Sequence, residues 1–137
     1  MTNFQLKCMA SLFNYTEVLL TKTMISIYHN PRCSKSRQAL ALLKEKGLVV
    51  DVLMYLEKPP TAEVLRDLLK KLGVSARQLL RTDEDIYREE KLSDKEKTES
   101  QLIDAMATHP KLIQRPIVVN GDKAVIGRPP EQVLEII

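Results

Sequence analysis

The residues with the most chemical potential stand in one stretch, Tyr28-His29-Asn30-Pro31-Arg32-Cys33-Ser34-Lys35-Ser36-Arg37. The apolar run Met24 to Tyr28 ahead of it reads as a strand, and Gln38 to Lys46 behind it reads as a helix. Cys33 therefore falls at a strand-to-helix turn. The first amides of a helix have no intrahelical partner there and can bind an anion or stabilise a thiolate. Arg32, Lys35 and Arg37 act in the same direction by Coulomb attraction. A single cysteine is by default a small buried apolar residue, but this one has Arg32 and Ser34 as neighbours and opens a helix. The stretch predicts a thiolate nucleophile facing an oxyanion.

The elements that must position this thiol follow in order. Gly47 stops the first helix, and Leu48 to Tyr55 reads as a second strand, with Val50, Val52 and Met54 alternating with Asp51, Leu53 and Tyr55. Strand, helix and strand with short joints make a βαβ unit, so the two strands are parallel. After Pro59-Pro60, Thr61 caps a helix whose inward stripe is Val64, Leu65, Leu68, Leu69 and Leu72, ending at Gly73. Ser75 to Leu80 reads as a short helix. From Asp83 to Glu99 there are eight acidic and four basic side chains, a solvated helical surface. Ser93 with Glu96 reads as a capping box for a helix to about Thr108, with Leu102, Ile103 and Met106 inward, stopped by His109-Pro110.

Ile117 to Val119 and Lys123 to Ile126 flank Asn120-Gly121, a two-residue hairpin signal with both turn positions at positive φ. Pro129-Pro130 opens a last helix with Val133, Leu134 and Ile137 facing inward. The sum is a four-stranded mixed sheet with flanking helices and a helical insert at about residues 61–109, a thioredoxin-like α/β arrangement. In such a fold Arg115-Pro116, where a cis-proline is common, lies beside the cysteine loop. Arg128, just past the fourth strand, and Arg81, at a helix end of the insert, are the other basic residues at element ends. Three guanidiniums around one thiolate would suit a tetrahedral oxyanion, each offering two charge-assisted hydrogen bonds.

Length and composition bound the rest. The 137 residues and 44% hydrophobic content suit one domain. Residues 1–23 read as an extension or a mis-assigned start, with a surface helix at Phe13 to Leu20 as the alternative, and residues 24–137 as the domain. Twenty-one basic against 18 acidic residues, net +3, are too balanced for nucleic acid to be the main partner. Cys8 and Cys33 cannot form a disulfide scaffold or a structural zinc site. No apolar run spans a bilayer and no signal-peptide core is present, so no membrane association and a cytoplasmic setting are expected. Monomer is the default state.

The motifs together resemble the glutaredoxin-coupled arsenate reductases across Met24 to Ile137. The likeness is carried by Tyr28-His29-Asn30-Pro31 and Cys33, Ser36-Arg37, Leu79-Leu80-Arg81, Gln101-Leu102-Ile103-Asp104, His109-Pro110, Arg115-Pro116-Ile117-Val118-Val119 and Arg128-Pro129. It implies that Cys33 attacks arsenate, that Arg81, Arg115 and Arg128 hold it, and that His29 helps tune the thiol, with Ser36 and Arg37 in support. It also implies glutathione as co-substrate with no tightly bound cofactor, and glutaredoxin as the partner that clears the mixed disulfide. The enzymes best known for arsenate tend to have a small residue before the cysteine and Gly-Thr after it. Arg32 and Ser34-Lys35 stand here, as in a less characterised branch. A phosphatase loop needs five residues between cysteine and arginine, whereas Cys33 and Arg37 are separated by three. Other relatives of the fold are regulatory modules that switch through a CxxC disulfide, which Ser36 at the second position precludes. A general thiol oxidoreductase acting on glutathionylated substrates is the main alternative.

Overall fold

A computed structural model describes residues 25–137. The readings made above for residues 1–24, including the extension, its helix at Phe13 to Leu20 and Cys8, lie outside the described residues. Four strands, β1 (Ile25–Tyr28), β2 (Val50–Leu53), β3 (Ile117–Asn120) and β4 (Lys123–Ile126), form one sheet in the order β2-β1-β3-β4. β1 and β2 are parallel, while β3 runs antiparallel to β1 and β4 antiparallel to β3. The fold is the mixed, thioredoxin-like sheet expected from the order of elements.

Successive residues of a strand face opposite sides, and the packing follows that period. Ile25, Ile27 and Val118 join Ala39, Leu43 and Val133 in one apolar cluster. Tyr28, Ile117 and Val119 face the other way, toward a larger cluster with Leu65, Leu68, Leu69, Leu79, Leu102 and Met106. The first cluster lies under α1 (Ser34–Glu45), the second under the insert helices α2 (Ala62–Leu72), α3 (Ala76–Leu79), α4 (Asp85–Glu89) and α5 (Glu99–Thr108). Among the described residues no helix is long and apolar enough to cross a membrane.

Several local expectations change. α1 begins at Ser34, four residues before Gln38, so the cysteine itself is the N-cap. β2 ends at Leu53 and exposes both Asp51 and Val52, because it is an edge strand with less cover than β1. Val64 is exposed, and the buried stripe of α2 is Leu65, Leu68 and Leu69. Thr98 and Gln101, rather than Ser93 and Glu96, form the capping box of α5, which places the cap one turn ahead of Leu102. The hairpin pairs Asn120 with Lys123, so Gly121 and Asp122 are its turn residues and only Gly121 has positive φ. The final segment, Pro130–Ile136, is a 3-10 helix. Its threefold period aligns Pro130 with Val133, both buried, and leaves Leu134 half-buried and Ile137 exposed.

Candidate active site

Strand register decides which residues meet. Tyr28 pairs with Leu53 and with Ile117, and Ile117 pairs with Ile126. The next residue outward on each strand is therefore His29, Met54, Pro116 or Gly127. One edge of the sheet thus gathers the cysteine loop, Tyr55, Arg115 and Arg128. In open α/β sheets this edge, at the carboxyl ends of the parallel strands, is where ligands bind.

The cysteine loop is built from its own sequence. The Cys33 amide donates to the Asn30 carbonyl at 3.0 Å, closing a turn with Pro31 at its second position. Asn30 Oδ1 accepts from the Arg32 amide at 3.0 Å. Arg37 Nη1 donates to the Pro31 carbonyl at 2.8 Å, so this arginine braces the loop. The first intrahelical bond runs from the Arg37 amide to the Cys33 carbonyl, and the amides of Ser34, Lys35 and Ser36 precede it at the helix end where an anion is favoured. Cys33 is a free thiol, 9% exposed, yet it belongs to neither apolar cluster.

Ser36 is fully buried beneath the loop. Its hydroxyl accepts from the Asn30 amide at 3.0 Å and lies 2.6 Å from His29 Nδ1. Burial, with Lys44 and Arg37 nearby, holds the His29 pKa below its ordinary value. A neutral imidazole contributes position to the loop and no charge.

The arginines arrive from distant segments. The Arg81 amide donates to the Leu112 carbonyl at 2.7 Å, the Gln114 amide to the Leu79 carbonyl at 3.0 Å, and Leu80 bridges Ile113. This short antiparallel strap ties the end of α3 to the segment leading into β3 and carries Arg81 toward Arg115. Arg81 is a partly buried side chain, 13% exposed, not a surface charge. Its guanidinium donates to Glu84 at 2.6 Å and pairs with Asp83 at 3.0 Å. The acidic stretch after α3, expected to be a solvated surface, thus supplies the counter-charge of a partly buried arginine.

Arg115 and Arg128 precede the cis prolines Pro116 and Pro129. Arg128 is exposed, and its Nε donates to the Arg115 carbonyl at 2.8 Å. This contact depends on Gly127, whose amide donates to the Pro116 carbonyl at 2.8 Å. A Cβ there would stand 2.8 Å from Pro116 Cγ and 3.1 Å from Val133 Cγ1.

A cavity of about 390 Å³ lies against this edge. His29, Asn30, Pro31 and Arg32 of the loop line it with Tyr55, Arg81, Arg115, Glu84 and Lys111. Arg81 and Arg115 share it with the loop, whereas Cys33 and Arg128 are not among its lining residues; Arg128 is held on the Arg115 carbonyl. Two buried side-chain polar atoms among the described residues lack a hydrogen-bond partner, Arg115 Nε and the Tyr55 hydroxyl, and both residues line this cavity. Burial raises the Tyr55 pKa, and the charges that act on its hydroxyl are those of Arg81, Cys33, Glu84 and Arg128. Tyr55 therefore lies within electrostatic reach of the thiol and of two of the guanidiniums. Tyr55 and Lys111 line the cavity without having been singled out from the sequence, where Tyr55 falls inside the expected second strand.

Comparison with known proteins agrees with this architecture. The ArsC family matches residues 28–136. The chain is 60% identical over 114 residues to the uncharacterised Escherichia coli K12 protein YfgD, covering 82% of this chain and 96% of that one. It is 47% identical to a Haemophilus influenzae protein named arsenate reductase, covering 82% and 98%. The solved structure of an arsenate reductase from Vibrio cholerae superposes with a TM-score of 0.82 at 49% identity, covering 84% and 98%.

Proposed function

The chain belongs to the ArsC family, and on that premise we propose that it reduces arsenate to arsenite, with Cys33 as nucleophile and Arg81, Arg115 and Arg128 as the oxyanion-binding group. The observation that carries this reading is the cavity beside the cysteine loop, walled by Arg81 and Arg115, two guanidiniums brought together from distant segments. Two convergent guanidiniums at one cavity suit an anion, to which each can donate charge-assisted hydrogen bonds.

In this reading the Cys33 thiolate displaces one arsenate oxygen, which leaves as water with an added proton, and a sulfur–arsenic bond forms. A glutathione thiolate then attacks the Cys33 sulfur. The electron pair of the sulfur–arsenic bond stays on arsenic, arsenic(V) becomes arsenic(III), and arsenite departs. Cys33 is left in a mixed disulfide with glutathione, which glutaredoxin reduces by thiol–disulfide exchange. The guanidiniums offset repulsion between thiolate and oxyanion and stabilise the charge that builds on the arsenate oxygens. The oxidising equivalents end on glutathione, so no bound redox cofactor takes part.

The test is arsenate-dependent NADPH oxidation coupled through glutathione, glutaredoxin and glutathione reductase. Wild type should turn over, Cys33→Ser should not, and Arg115→Ala should lose about 10²–10³-fold in kcat/KM, as for one oxyanion donor. Absence of arsenate-dependent turnover in the wild type, with retained activity on a glutathionylated peptide, would replace this reading with general thiol oxidoreduction.

A further inference from the structure

We propose that the Tyr55 hydroxyl is a hydrogen-bond donor to the bound oxyanion, a neutral substrate-contacting group in a site otherwise built from cations. This rests on the oxyanion reading above. Tyr55 follows β2, one residue beyond the point where that strand lies level with the cysteine loop. Its side chain is 1% exposed and belongs to the larger apolar cluster, so the ring is fixed by packing. The hydroxyl nevertheless has no partner, and the residue lines the cavity that Arg81 and Arg115 share.

A buried tyrosine ordinarily hydrogen-bonds its hydroxyl. A phenylalanine would fill the same apolar position without leaving a polar atom unpaired, so the hydroxyl is unexplained by folding. The groups whose charges reach it include Arg81, Cys33 and Arg128, which the proposed function assigns to thiol and anion, together with Glu84, the partner of Arg81. Guanidiniums cannot accept its proton, and Glu84 is already engaged by Arg81 at 2.6 Å. The acceptors left to the hydroxyl are water and an oxygen of a ligand in the cavity, and a tetrahedral oxyanion can take the place of that water with acceptors to spare. Burial holds the phenol in its protonated form, so it donates a hydrogen bond without transferring its proton.

Tyr55→Phe separates this role from a structural one. Removing an unsatisfied buried hydroxyl should leave the melting temperature of the free protein equal to or above wild type, while the upward shift produced by arsenate shrinks. In the coupled assay kcat/KM for arsenate should fall about 10- to 100-fold, and the rate of Cys33 alkylation without anion should stay as in wild type. A lower melting temperature of the free variant would mean that the hydroxyl serves the fold, and an altered alkylation rate would mean that it acts on the sulfur. Either overturns the proposal, as does unchanged kcat/KM. Should the wild type fail to reduce arsenate, calorimetric titration of inorganic arsenate into Cys33→Ser and Cys33→Ser/Tyr55→Phe still decides it. Weaker binding by the double variant supports the hydroxyl contact, and equal binding refutes it.

Discussion

The cysteine loop and the arginine wall facing it are built in opposite ways. The loop is local: the contacts that shape it join residues of the span His29 to Arg37, through the Asn30–Cys33 turn, the Arg37–Pro31 brace and the His29–Ser36–Asn30 network. The wall is assembled at long range. Arg81 is placed by a strap to Leu112, Arg128 by its bond to the Arg115 carbonyl, and Arg115 and Arg128 together by the close passage of Gly127 over Pro116. The cysteine loop thus comes preformed with one supersecondary unit, whereas the arginine wall exists only once the whole sheet has closed.

The comparison can be broken from either side, and the wall should yield most. Gly127→Ala drives a methyl into Pro116 and Val133 and should cost about 2–3 kcal/mol of stability. It should weaken arsenate binding through the displaced Arg115 and Arg128, with the alkylation rate of Cys33 in the absence of anion nearly unchanged. Chemical denaturation and calorimetry read the two effects.

Ser36→Ala attacks the loop instead. It strips the buried His29 Nδ1 and the Asn30 amide of their shared partner and should cost about 1–2 kcal/mol. The signature is the reverse of the previous one: an altered alkylation rate of Cys33, with the anion still bound by Arg81 and Arg115.

The same division explains what was legible in the sequence. The loop could be read because its motif is contiguous and its chemistry is that of a helix N-terminus. Arg115 and Arg128 could be read because their neighbouring prolines mark the ends of recognisable strands, whose order fixes the sheet edge. The ion pairs of Arg81 with Asp83 and Glu84 could not, since an acidic run looks the same whether it is solvated or neutralising a buried guanidinium. Nor could Tyr55, which falls within a plausible strand pattern and becomes a site residue only because β2 stops two residues earlier. The boundary errors in α1, β2 and the last segment have a common origin: propensity cannot show where tertiary cover ends.

Protonation of His29 offers a smaller perturbation of the loop. Its folded pKa lies below the ordinary 6.5, so the unfolded chain takes up the proton first as the pH falls. The stabilisation from a neutral His29 is complete above about 6.5 and is lost as the pH falls toward and through the lowered folded value. Denaturation midpoints should therefore drop across that window by no more than one proton's slope, about 1.4 kcal/mol per pH unit. His29→Gln should remove that part of the slope.

The mildest change sharpens the wall. Glu84→Gln leaves Arg81 with less neutralisation and should tighten arsenate binding by about two- to fivefold, the effect of under 1 kcal/mol expected of a pair that solvent reaches. Calorimetric affinities of the two proteins measure it.

The most direct measurement of the central claim is the alkylation rate of Cys33 by iodoacetamide, followed on the Cys33 peptide by mass spectrometry over a series of arsenate concentrations. If the thiol stands at an anion site made by the wall, arsenate slows the reaction saturably in the wild type, and Arg115→Ala shifts that protection to much higher concentration. A Cys33 rate indifferent to arsenate, or protection unchanged by Arg115→Ala, would contradict the account.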